Sequence, residues 1–253
     1  MENITYDQLA LRELQAWQRE MQKSPSLLNM LSKATQDKMN SFIPEKIHTA
    51  ITTTLKQMIR AVLFGSRITT ARPGAPASLE QIETQVQKRI AIYRTAAAAE
   101  GGVTGAGGFL MGLADFPLFL SLKLKMLFDI AALYGYATDD YRERLYLLFI
   151  FQLTFSSQQQ RRKVYLNMTN WDEQKQHLPS DINQFDWRSF QQEYRDYIDL
   201  AKMAQLIPII GAPVGAVVNY RLTDKLGRFA MNAYRMRKLD DASLNLPVAV
   251  KAR

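Results

Sequence analysis

The stretch GGVTGAGGFLMGLAD, Gly101 to Asp115, decides how this chain must fold. Its glycines Gly101, Gly105, Gly108 and Gly112 recur at intervals of four, three and four residues. At about 3.6 residues per turn they form one helical stripe roughly 60° wide, and a continuing helix adds Asp115 to it. Glycine costs roughly 1 kcal/mol against alanine inside a helix. A stripe of glycines therefore needs a compensating gain. Close approach of a second backbone supplies it, as small-xxx-small pairs do in tightly packed helices. A second pair at the same spacing, Gly211 and Gly215, stands in IPIIGAPVGAVVN. The two segments are expected to face one another at the centre of the fold.

Around this stripe the apolar periodicity is helical almost throughout. Leu9, Leu11, Leu14, Trp17 and Met21 mark a first helix, and Ser24-Pro25 breaks the chain before a second near residues 26–40. Ile47, Ile51, Leu55, Met58, Ile59 and Val62 mark a third, ended by Gly65. After the turn Arg72–Pro76, Ser78 with Gln81 forms a capping box for a helix from Leu79 to Ala99. Asp115 is expected to cap the next helix through its carboxylate, with Pro117 in its first turn and Gly135 at its end. Thr138 or Asp139 is expected to cap the helix holding the apolar run Tyr146–Phe151. The prediction is an all-α fold, one domain over residues 1–253. Its parts are N-terminal helices within 5–64, a central glycine-rich core over 79–157, an irregular segment over 168–185 and C-terminal helices over 186–239. No alternating strand, lasting heptad seam or solenoid repeat appears.

Composition narrows the function. The 253 residues are 47% hydrophobic and 22% charged, as in ordinary globular proteins. There is no cysteine, which excludes disulfides and thiolate metal sites. The opening MENITYDQLALRELQAW lacks the apolar run of a secretory signal. The uncharged runs 101–114 and 206–218 are both shorter than the roughly 20 residues of a spanning helix. The mean hydropathy of −0.21 agrees. These runs read as buried core, with a hairpin dipping into a headgroup layer as the alternative.

A net charge of +8 and a sequence pI of about 9.6 favour anionic partners. Arg221, Lys225, Arg228 and Arg235 share one face of the last helix, at offsets of four, seven and fourteen residues, beside an apolar face. They are the candidate lipid- or partner-binding residues, and Arg161-Arg162-Lys163 is a further basic run. No reader motif points to nucleic acid.

Catalytic chemistry is poorly supplied. His48 and His177 are the only histidines, and neither stands in a metal-binding pattern. No carboxylate cluster has metal spacing and no serine lies in G-x-S-x-G, so no metal is expected. Leu110 stands where a dinucleotide fingerprint from Gly105 needs glycine, and no Lys-Ser/Thr pair follows, so no cofactor is expected. Asp115, Lys123, Lys125 and Asp129 are the ionisable groups of note, because their helix is otherwise apolar. Lys125 and Asp129 are four apart and can pair.

Several blocks together resemble the EcsC family of bacterial proteins. They are ELQAWQREMQKSPS, NSFIPEKIHTAITTTLKQMIRAVLFGS, AAEGGVTGAGGFLMGLADFPLFLSLKLKMLFDIAALYGY and IPIIGAPVGAVVNYRLTDKLGRFAMNAYRMR. The most specific pieces are the glycine-rich run into Asp115, Tyr134-Gly135, and Pro208 to Asn219. The resemblance implies a helical protein, cytoplasmic or peripheral to the inner face of the membrane, that acts with an ABC transporter linked to protein secretion or processing. It carries over no catalytic residue. The expected function is a non-enzymatic accessory protein whose partners are an anionic membrane surface or transporter subunits. The alternative is a hydrolase using Asp115 and a nearby lysine in an apolar groove. The sequence leaves the oligomeric state open.

Overall fold

Helices with local stop signals account for nearly every element. The computed structural model describes residues 5–23, 45–64, 77–106, 115–198 and 211–243. The fold is all-α, with helices α1 (Tyr6–Gln22), α2 (Glu45–Phe64), α3 (Leu79–Ala106), α4 (Phe116–Leu133) and α5 (Tyr141–Phe155). They are followed by α6 (Gln158–Leu166), α7 (Trp171–Gln174), α8 (Trp187–Tyr197) and α9 (Gly211–Ser243). Among the described residues, β-pairing is limited to one bridge between Ser156 and Ile198. The expected helix near residues 26–40, Gly65, Gly108, Gly112 and Pro208 lie outside the described residues.

Local chemistry explains the boundaries. Thr5 with Gln8 and Ser78 with Gln81 each form a reciprocal capping box that opens α1 and α3. Gly135 ends α4 with φ +88°, a left-handed conformation that side chains disfavour. There the Tyr136 N–H reaches back to the Ala131 carbonyl at 2.9 Å.

Three expectations need correction. α3 does not stop at Ala99 but runs through Gly101 and Gly105 to Ala106. Asp115 makes no capping bond through its side chain and sits at φ −86°, ψ −5°. The cap of α5 is Asp140, whose Oδ1 accepts from the Arg142 N–H at 2.9 Å. Thr138 and Asp139 instead offer their carbonyls to Arg144, at 2.8 and 2.7 Å.

The core forms where α4 and α5 are buried on nearly all sides. Phe116, Phe119, Met126, Leu127 and Ile130 of α4 are buried, as are Tyr146, Leu147, Leu148, Ile150 and Phe151 of α5. The long helices α3 and α9 pack antiparallel, Gly101 beside Gly215 and Ile90 beside Gly227.

Two buried arginines of α9 fasten it to the rest. Arg235 donates to both oxygens of Glu83, each at 2.6 Å, and to Glu13 of α1 at 2.8 Å. Tyr134 and Tyr6 donate to the same Glu83 carboxylate, at 2.9 and 2.6 Å. Arg237 donates to Glu143 of α5 at 2.7 and 3.0 Å and to Asp172 at 2.8 Å, with its guanidinium 3.8 Å from the Tyr136 ring centre. That second cluster, with Lys175 bonded to Glu143 at 2.8 Å, anchors the segment 168–185. Its turns, short helix and two 3-10 turns are thereby held against the core.

Candidate functional site

The site grows from the glycine contact. A Cβ on Gly101 would lie 2.8 Å from the Gly215 carbonyl oxygen and 3.0 Å from Asn219 Nδ2. α3 and α9 therefore touch backbone to backbone, a geometry open to glycine. Gly105 falls in the last turn of α3 and Gly211 opens α9.

Polar groups gather at this crossing. Asn219, buried on α9, donates to the Gly215 carbonyl at 3.3 Å and accepts from Lys123 Nζ at 3.3 Å. Lys123 of α4 is fully buried, its ammonium 5.4 Å from the Phe119 ring centre. Burial pushes its amine down to about 8, although the Glu100 carboxylate pulls the other way. Burial likewise raises the Glu100 carboxyl; Lys123 opposes this and the charge of Asp115 adds to it. Glu100, Asp115, Lys123 and Asn219 thus form one polar group where α3, α4 and α9 meet.

Lys125 and Asp129 belong elsewhere. Lys125 is half-exposed and donates to Asp129 at 3.3 Å. Asp129 is buried, accepts from the Tyr93 hydroxyl at 2.7 Å and has Arg89 Nε at 3.8 Å. The four candidate catalytic residues therefore divide between two clusters. A groove of about 340 Å³ opens on another flank of α4, lined by Pro117, Leu120, Ser121, Leu124 and residues of α2, and contains none of them. His177 is exposed on a 3-10 turn. Among the described residues, no group of three His, Asp or Glu side chains is placed to hold a metal ion.

The basic face is not one surface. Arg221 is exposed; Arg228 is exposed and bonded to Asp224 at 2.9 Å; the Lys225 ammonium lies 5.3 Å from the Phe229 ring centre. Arg235 is 2% exposed and enclosed by Glu83 and Glu13, so its assignment as a lipid- or partner-facing cation is corrected. α9 outruns the open part of the molecule, and α1 and α3 cover its later turns. Arg161 is also buried, which removes it from any surface patch.

The antiparallel pairings bring the end of α3 and the starts of α4 and α9 to one end of the molecule. Four aliphatic side chains stand out there: Val103 is 67% exposed, Leu118 59%, Val214 48% and Val217 50%. Above them on α9 come Tyr220, with the Arg94 guanidinium 5.0 Å from its ring centre, and then Arg221. Among the described residues no helix is long and apolar enough to cross a membrane.

Sequence reasoning missed Glu100, Asn219, Gly227 and Arg237. Glu100 and Asn219 had a visible signal, since each is the polar residue bounding an uncharged glycine-containing run. Gly227 and Arg237 carried none, because their partners are remote in sequence.

Comparison with known proteins adds a lineage. The model of the EcsC protein family matches residues 8–239. Protein EcsC of Bacillus subtilis (strain 168) is 41% identical over 241 residues, covering 95% of this chain and 99% of that protein. The uncharacterized protein YdbA of the same organism is 31% identical over 146 residues, covering 57% of this chain and 53% of that protein. No solved structure matches.

Proposed function

This chain belongs to the EcsC protein family, and on that premise we propose that it is a non-enzymatic accessory protein acting at the cytoplasmic face of a membrane. The observation that carries the reading is the exposed aliphatic end, Val103, Leu118, Val214 and Val217, with Tyr220 and Arg221 behind it. At about 1.5 Å per residue, Arg221 sits roughly 10 Å along α9 from Val214. That matches the depth, about 5–10 Å, to which an apolar face enters the boundary of headgroups and chains. An aromatic ring and a cation then fall at headgroup level. The glycine contact supports the end by holding α3 and α9 rigidly side by side. An ABC transporter is the working partner we propose, on the family resemblance alone, and the same end would bring the protein to it.

Geometry also ranks the cations. Arg228 lies a further 10 Å or so beyond Arg221, about one screening length at 0.1 M salt, and it is already paired with Asp224. Arg221 dominates, Lys225 contributes less and Arg235 nothing. Vesicle co-sedimentation tests this. Phosphatidylglycerol vesicles bind the full chain more tightly than phosphatidylcholine vesicles, and Val214→Asp/Val217→Asp abolishes binding. Arg221→Gln weakens it about fivefold, since a cation near an anionic surface adds about 1 kcal/mol. Equal binding to both vesicle types, or full binding by the double aspartate variant, overturns the proposal.

A further inference from the structure

Two carboxylates stand at the aliphatic end of the molecule, each about one helical turn from an exposed side chain. Glu100 precedes Val103 by three residues on α3, and Asp115 precedes Leu118 by three at the start of α4. Both acids are half-buried, and fully buried Lys123 is the cation that acts on Glu100. We propose that docking of this end on a membrane takes up one proton per chain on the Glu100–Asp115 pair, so that attachment strengthens as pH falls. The proposal rests on the reading of the Val103–Leu118–Val214 end as membrane-facing.

Depth and charge carry it. Glu100 lies about 4.5 Å along α3 behind Val103, Asp115 about 4.5 Å ahead of Leu118, and Lys123 about 7.5 Å past Leu118. An apolar face that enters the membrane boundary by about 5–10 Å takes all three with it. Arg221 and Arg94, roughly 10 Å from Val214 and 13 Å from Val103, stay at headgroup level. Lys125 and Asp129 lie further along α4 and pair with each other. The polar group of α9 at this level is neutral Asn219, and the runs 101–114 and 206–218 hold no ionisable side chain. The immersed layer therefore holds two carboxylates and one ammonium, a single net negative charge. Desolvation makes that charge costly, and an anionic surface repels it. One proton cancels it. Burial already raises the Glu100 carboxyl and the charge of Asp115 raises it further, against the pull of Lys123. The Asp115 side chain makes no capping bond that would hold its ionised form. The proton thus belongs to the pair rather than to one residue. Because the docked state holds the extra proton, affinity falls as pH rises, by at most about tenfold per pH unit.

The test measures co-sedimentation of the full chain with phosphatidylglycerol vesicles, whose phosphate stays ionised, from pH 5 to pH 7.5. Asp115→Asn makes the immersed layer neutral without a proton. It is expected to bind about tenfold or more tightly than the wild type at pH 7.5, and within about threefold of it at pH 5. The ratio is the readout, because titration of His48 and His177 cancels in it. A ratio above one that stays constant across the range is what loss of a negative charge anywhere on the surface gives, and it overturns the proposal. So does a ratio near one at pH 7.5. If Asp115→Asn melts early, Glu100→Gln is expected to give the same narrowing ratio. Calorimetry with excess vesicles at pH 7, in two buffers of different ionisation heat, is expected to show the wild type taking up about one proton per chain more than Asp115→Asn or Glu100→Gln. Equal uptake by the wild type and both variants overturns the proposal. Absence of wild-type vesicle binding at every pH removes the membrane-facing end and the proton switch together; retained binding with a constant ratio removes the switch alone.

Discussion

Replacing Gly101 by alanine sets two known effects against each other. Helix propensity favours alanine by roughly 1 kcal/mol, so on an isolated helix the change stabilises. In the fold, the new methyl carbon would meet the Gly215 carbonyl oxygen at 2.8 Å, Asn219 Nδ2 at 3.0 Å and the Gly215 carbonyl carbon at 3.1 Å. Two of these are backbone atoms, so α3 and α9 must separate. Overpacking of this kind costs typically about 1–3 kcal/mol. Separation also loosens the Asn219 bonds to Gly215 and Lys123, each worth about 1 kcal/mol. The expected net result is a loss of about 1–3 kcal/mol. Gly102 is the control, because a methyl there meets nothing nearer than the Ala216 Cβ at 3.9 Å. Gly102→Ala is expected to gain up to about 1 kcal/mol. Urea unfolding followed by circular dichroism, with equal m-values, reads both changes. If Gly101→Ala is as stable as the wild type, or the two variants agree within about 0.5 kcal/mol, the close backbone contact is refuted.

Lys123 makes stability depend on alkaline pH. Its folded amine is held at about 8 against an ordinary 10.5, so below pH 8 the buried charge opposes folding, by about 3 kcal/mol. That penalty is relieved as pH rises from about 8 to 10.5, where the unfolded chain binds the extra proton. The stability of the wild type relative to Lys123→Met therefore climbs by about 2 kcal/mol or more between pH 7 and pH 10, and a flat difference in urea titrations would falsify the assignment. Glu83→Leu leaves buried Arg235 with Glu13 as its remaining carboxylate and is expected to cost about 3 kcal/mol, while Glu83→Leu/Arg235→Met recovers most of that loss; losses of the two single variants that simply add in the double would argue against a coupled pair. Gly135→Ala has room, its methyl 4.0 Å from Lys238 Nζ, yet φ +88° costs about 1–2 kcal/mol, and an unchanged melting temperature would contradict that.

What the sequence determined by itself was local. The capping boxes at Thr5 and Ser78 and the glycine stop at Gly135 join groups within a few residues, and the heptad-free apolar periodicity needed no partner to be read. The repeated small-residue spacing also marked Gly101 and Gly215 as places where a backbone comes close, because nothing else offsets glycine in a helix. Only the tertiary structure decided burial and charge partners. Arg228 and Arg235 lie on one stripe of one helix, yet the first is exposed and the second is enclosed by Glu83, which is 152 positions away. Lys123 and Lys125 are two residues apart, yet one is fully buried and meets Asn219 while the other is half-exposed and meets Asp129. The physical reason is reach. Backbone hydrogen bonds and caps close within a turn or so, whereas desolvation and ion pairing depend on which helix covers a given level, and that is settled when all the helices pack together.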